Sequence, residues 1–138
     1  MNVRMEHTDG LGRVAEVWVD GHLLTVCDAY SAADRRCPPG AMDEVKFSYL
    51  TEAGFTWDEA IRANPSHRRA LEPVRGWAYA GYGLVLQVMP VVVDFGMMRM
   101  EDANWTSDER LVGKYVRIPI DRLEVSPAVK ADWPKGAR

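Results

Sequence analysis

Residues 83–102 read GLVLQVMPVVVDFGMMRMED, and how this apolar stretch is divided decides the fold. Its longest unbroken part, Leu84 to Val93, contains Gln87 and Pro90 and is too short to cross a bilayer. Gly83, Met89-Pro90 and Gly96 cut the region into pieces of strand length. Leu84, Leu86 and Val88 share one parity, and Val91, Val93, Phe95 and Met97 form a facing set, the two-residue period of strands with one face on a core. The pattern predicts extended segments through 74–100, with glycines at bulges or barrel corners. Asp94 then falls with Val92, Gly96 and Met98, a carboxylate on the wetter face.

Outward from this centre the chain stays rich in strands. RVAEVWVDGHLLTVCDAY (13–30) is two β-rich runs joined by Asp20-Gly21, the pair suited to a two-residue hairpin turn because both positions need positive φ. SAADRRCPPGA (31–41) reads as a loop, and Val45, Phe47 and Tyr49 alternate with Glu44, Lys46 and Ser48 as in a half-wet strand. Thr56 with Glu59 has capping-box spacing, so a short helix is expected, ending at Asn64 before Pro65. Thr106 with Glu109 repeats that spacing and starts a helical turn that Gly113 ends. KYVRIPIDRLEV (114–125) is the last strand, and Pro119 inside it requires an edge or a bulge. The expected architecture is α+β and mostly β: a small OB-like curled sheet or barrel with one or two short helices. A single domain spans 1–126, and 127–138 form a loose tail.

Composition narrows the function. The 138 residues fit one domain, 47% are apolar and 27% charged, and the formal charge is −3. That is ordinary globular material with no overall positive field for nucleic acid or anionic lipid, so a basic partner is slightly favoured. Charges in the first ten residues leave no room for the apolar segment of a secretory signal, so the expected location is cytoplasmic and no membrane is expected. Cys27 and Cys37 are then expected to be reduced thiols. His22, Cys27, Asp28 and Cys37 lack the two close ligand pairs of a zinc site, and neither metal nor cofactor is expected.

The second half carries a more specific pattern. GLVLQVMPVVVDFGMMRMED, a short helical turn and then LVGKYVRIPIDRLEVS resemble the opening of an S1-type oligonucleotide/oligosaccharide-binding barrel. In that family G-x-V-x-x-(I/V)-x-P precedes a strand ending in V-D-x-G, and V-G-x-x-V begins the next. The resemblance covers residues 83 to about 126 and implies a barrel. The family's base-stacking aromatics after the proline are replaced here by Val91, Val92 and Val93.

Asp94-Phe95-Gly96 also spells the metal-holding triplet of a kinase. The chain has neither the H-R-D and A-P-E segments nor the length for two lobes, so the triplet reads as strand and turn. The expected function is a binding module without chemistry of its own that engages another protein, a basic one being favoured, as an acidic inhibitor or adaptor. Its binding face is expected at Asp94, Met98, Met100, Glu101, Asp102, Asn104 and Trp105, where methionines and a tryptophan ringed by charge resemble an interface core and rim. A competing reading is single-stranded nucleic-acid binding through Arg68, Arg69, Arg75, Trp77, Tyr79 and Tyr82. Residues 60–80 hold four arginines against one acid, although residues 83–126 hold five cations against seven acids. A third reading is a small hydrolase or metal-dependent enzyme using Asp94, Glu101 or Asp102.

Overall fold

The computed structural model describes residues 1–128. The chain forms β1 (Val3–Thr8), β2 (Val14–Val19), β3 (His22–Asp28), a two-residue β4 (Gly40–Ala41) and β5 (Val45–Thr51). After these come α1 (Trp57–Arg62), β6 (Ala70–Arg75), β7 (Ala78–Gln87), β8 (Val91–Asp94), β9 (Arg99–Asp102), a 3-10 turn (Glu109–Leu111) and β10 (Tyr115–Pro127). The strands make one open sheet in the order β4-β1-β2-β3-β10-β7-β8-β9, with β5 added on β10 and β6 on β7. The fold is mostly β, and α1 is short. No helix among the described residues is long and apolar enough to cross a membrane.

Local sequence explains most boundaries. Asp20 (φ 49°) and Gly21 (φ 86°) are both left-handed, which closes the β2–β3 hairpin with Val19 opposite His22. Thr56 caps α1 by accepting from the Glu59 amide and donating to the Glu59 carboxylate. The second cap differs from expectation: Asp108, not Thr106, caps the 3-10 turn, while Thr106 Oγ1 accepts from the Asp108 amide. Aspartate and threonine compete for one role here, and the carboxylate nearer the turn takes it.

β10 organises the whole. Its first half pairs antiparallel with β7, and its second half runs between β5, antiparallel, and β3, parallel at Glu124 and Val125. Pro119 sits in the first half, just before the register with β5 shifts between Ile120 and Arg122, so its missing N–H coincides with an irregular edge. The strand continues through Pro127, which pairs with Val45. Pro127 is thus part of the sheet, and of the expected tail residues 129–138 lie outside the described residues.

The core draws on both parts of the sheet: Met5, Val17 and Val26 from the β1–β3 meander, and Phe95, Ile118, Ile120 and Leu123 from the rest, each no more than 1% exposed. One expectation is inverted in β7, where Val85 is buried and Leu84 and Leu86 are half-buried. The inward parity belongs to Gly81, Gly83 and Val85. A Cβ at Gly81 would lie 2.7 Å from Phe95 Cε1 and 2.9 Å from Ile120 Cδ1, and one at Gly83 only 2.5 Å from Val93 Cγ1. The two glycines leave room that the Phe95 ring fills.

Candidate functional site

Asp94-Phe95-Gly96 is the start of a hairpin turn. Gly96 has φ 92°, the Phe95 amide donates to the Met98 carbonyl at 2.9 Å, and Asp94 Oδ1 accepts from the Gly96 amide at 2.8 Å. Its other oxygen accepts from Arg69 Nη1 at 3.1 Å. This turn reverses the strand, so register replaces parity: Val93 lies opposite Met100 and Val91 opposite Asp102. Residues opposite one another share a face, and Met98, Met100 and Asp102 therefore join Val91 and Val93 inside, at 6%, 2% and 6% exposure. Three of the seven residues expected on a partner-binding face are interior residues. That expectation is corrected, because it continued one strand's parity through a glycine that turns the chain.

Asp102 is a structural acid. Its Oδ2 accepts a short hydrogen bond from the Tyr49 hydroxyl, and its Oδ1 accepts from the Asn104 amide at 2.6 Å and from Asn104 Nδ2 at 2.8 Å. Asn104 Nδ2 also donates to Thr51 Oγ1 at 3.0 Å. β5 and β9 are thus held together by side chains where the sheet fails to close. Burial, then the Asp102 charge and the hydrogen bond to it, push the Tyr49 hydroxyl well above its ordinary pKa.

Immediately after these anchors stands Trp105, 69% exposed. Behind it, Asn104 is fixed to Thr51 and Asp102. Ahead of it, Thr106 and Asp108 line a cleft of about 300 Å³ with Trp57, Ile61, Leu111 and Lys114. Phe55 and Trp57 form an edge-to-face pair with centroids 4.9 Å apart, and Leu50, on the strand that carries Thr51, is also exposed. Exposed carboxylates surround these elements at Glu52, Asp58, Glu59, Glu101 and Glu109. Asp108 is bonded by Arg110 through Nε and Nη2, which holds its carboxyl below the ordinary value. Of the expected face, Trp105 and Glu101 are exposed and Asn104 is half-buried, while Asp94 lies half-buried beside Arg69. The aromatic pair from the start of α1 was not foreseen; the apolar Phe55 and Trp57 flanking a polar cap residue are the signal for it.

The second set divides similarly. Tyr79 is 2% exposed, and its hydroxyl accepts from the Thr25 amide and donates to the Thr25 carbonyl, both at 2.9 Å, standing where β3 lacks a strand neighbour. It is therefore no stacking platform. Arg68 lies 4.3 Å from the Tyr82 centroid and Arg117 5.8 Å from it, Arg68 also pairs with Glu72, and His67 stacks on Tyr115 at 4.4 Å. This makes one cationic, aromatic face. Arg75 and Trp77 lie apart, lining another cleft with Asp121, and Arg122 reaches over the Trp77 ring.

The carboxylates of the enzymatic reading do not converge. Asp94 and Glu101, opposite Arg99 and Val92, are on the outer face of the β8–β9 hairpin, and Asp102 is on the inner face. Among the described residues no group of three or more His, Cys, Asp or Glu is placed to hold a metal ion. Cys27 and Cys37 are free thiols, and burial is the main cause that raises both pKa values.

No family model, no curated protein and no solved structure matches the chain.

Proposed function

We propose that the protein is a binding module that engages a basic protein partner through Trp105, with no chemistry of its own. The observation that carries this reading is the exposure of Trp105 directly after Asn104, which is bonded to Thr51 and Asp102. A large indole held in water by an ordered loop is a poor use of apolar surface unless a partner covers it. Trp57 lines the cleft that Thr106 and Asp108 also line and pairs with Phe55, and exposed carboxylates stand on the same segments of chain at Glu52, Asp58, Glu59, Glu101 and Glu109. Such carboxylates steer a cationic surface onto the site and set salt-dependent association. Strands β5, β10, β7, β8 and β9 form the curled part of the sheet that supports the loop, and an OB-like description of this part, in a cytoplasmic protein, belongs to the same proposal.

The test is affinity capture from source extract with the wild-type chain and with Trp105→Ala. The variant is expected to fold with stability within about 0.5 kcal/mol of wild type and to lose roughly thirty-fold in affinity for a basic protein. Capture that is unchanged by the substitution would end the proposal.

A second reading, single-stranded nucleic-acid binding, draws on the face of His67, Arg68, Tyr82, Tyr115 and Arg117. Its aromatic rings are already covered by the protein's own guanidinium groups and histidine, and Arg68 is paired with Glu72. Both features leave less for a base or a phosphate to gain. Salt-sensitive quenching of tryptophan fluorescence by short oligonucleotides would favour this reading over the first.

A further inference from the structure

A separate cleft of about 290 Å³ lies between the β1–β2 connection, which contributes Asp9 and Arg13, and the loop after β3, which contributes Asp34, Arg35 and Arg36. None of these segments takes part in the Trp105 site. Among the described residues, Arg13, Arg35 and Arg36 form no ion pair, a state they share with Arg4, Arg62, Arg75, Arg99 and Arg117, but they alone line one cleft three together. Of the two carboxylates in the cleft, Asp9 is engaged by His7 at 2.9 Å. Three arginines without an ion pair therefore line one cleft in a chain whose formal charge is −3.

The walls are built rather than draped. Asp28, with no exposed surface, accepts from the Tyr30 and Ser31 amides at 2.7 and 2.8 Å, from Ser31 Oγ at 2.6 Å and from Thr8 Oγ1. Ser31 Oγ accepts in turn from the Cys37 amide at 2.8 Å, and the Arg35 amide donates to the Ala32 carbonyl at 3.2 Å. Opposite, the Gly12 amide donates to the Asp28 carbonyl at 2.6 Å and the Asp28 amide to the Arg13 carbonyl at 2.9 Å. One buried residue, Asp28, thus holds both segments, the loop after β3 through its carboxylate and the β1–β2 connection through its backbone. The Arg36 stem lies 3.9 Å from the position of a Cβ on Gly10, so it packs across from one wall to the other. Arg35 and Arg36 also line an adjoining cleft of about 370 Å³ with Tyr30, Pro38 and Pro39.

We propose that this cleft binds a small phosphorylated molecule through a phosphate or diphosphate group held by Arg13, Arg35 and Arg36. Guanidinium forks match phosphate oxygens bidentately, and a multiply charged anion offsets the positive charge of three arginines on one cleft. The adjoining cleft, with its tyrosine and prolines, offers apolar surface for the rest of such a molecule. Small size is favoured over a polymer because Asp34 stands in the cleft and the chain as a whole repels polyanions.

The experiment is isothermal titration of the full chain at low ionic strength with inorganic pyrophosphate, alone and in competition with a short single-stranded oligonucleotide. Saturable one-site binding tighter than about 1 mM is expected. Arg35→Gln and Arg36→Gln should each weaken it by about tenfold, and Asp34→Asn should tighten it. Arg75→Gln, in a different cleft, should leave it unchanged. The arginines are exposed, so circular dichroism of the variants should match wild type. No saturable binding, equal binding by the Arg35 and Arg36 variants, or displacement of pyrophosphate by stoichiometric oligonucleotide would overturn the proposal.

Discussion

Replacing Gly83 by alanine tests the packing that shapes β7 and, through Phe95, the turn beneath the candidate site. The added Cβ would stand 2.5 Å from Val93 Cγ1, 2.9 Å from the Asp94 carbonyl oxygen and 3.1 Å from Phe95 Cδ1. Val93 and Phe95 have no exposed surface, so neither side chain can swing into solvent. The Asp94 carbonyl belongs to the strand that β7 pairs with, at Leu84. Overpacking of this kind costs about 1–3 kcal/mol. Gly83 does not have a left-handed φ, so alanine also returns roughly 0.4–1 kcal/mol by restricting the unfolded chain. The net expectation is a destabilisation of about 1–2 kcal/mol, read as a lower urea midpoint at unchanged slope. Combining Gly83→Ala with Val93→Ala removes the nearest clashing atom while leaving the carbonyl. The pair should therefore be less destabilising than the sum of the singles by at least about 0.5 kcal/mol. A neutral or stabilising Gly83→Ala, or strict additivity of the pair, would refute the inward placement of Gly83.

Tyr49→Phe leaves a buried Asp102 oxygen without its donor and should cost about 2–3 kcal/mol in urea unfolding. Because the folded-state hydroxyl is raised above its ordinary pKa, its contribution is complete below about pH 10 and falls as pH rises above that value. An alkaline unfolding titration should accordingly show a shallower decline in Tyr49→Phe than in wild type. At the other end, burial alone would raise the Asp28 carboxyl, but hydrogen bonds from Ser31, Thr8 and the Tyr30 amide outweigh it and hold the pKa low. The ionised group then stabilises the fold above about pH 4 and loses that effect as pH falls through the depressed value. Asp28→Asn should lose about 2 kcal/mol at neutral pH and show a weaker acid dependence of its urea midpoint.

The sequence disclosed the elements whose chemistry is local. Asp20-Gly21 marked its hairpin and Thr56 with Glu59 marked the start of α1, because both signals depend only on neighbouring backbone. Val91, Val93 and Phe95 were recognised as core residues by alternation, and they are buried. The failures are non-local. Gly81 and Gly83 carry no apolar label, yet they face the core because Phe95 and Ile120 arrive from other strands. Met98 and Met100 are expected outward only if one parity runs through Gly96, whose positive φ makes a turn instead, and Asp102, expected in an acidic loop, ends the returning strand β9 on its inner face. Tyr79 has the composition of a stacking platform, and only the tertiary pairing with Thr25 shows it to be an edge filler. Trp105 is exposed, and the Phe55–Trp57 pair of the proposed site comes from a segment about fifty residues earlier.

The most direct measurement is site-specific photocrosslinking in source extract, with a benzophenone amino acid placed at position 105 and, in a parallel protein, at position 82. The account predicts a salt-sensitive protein adduct from position 105, formed with a basic polypeptide, and no comparable adduct from position 82. Nuclease-sensitive adducts from position 82 with none from position 105 would contradict it.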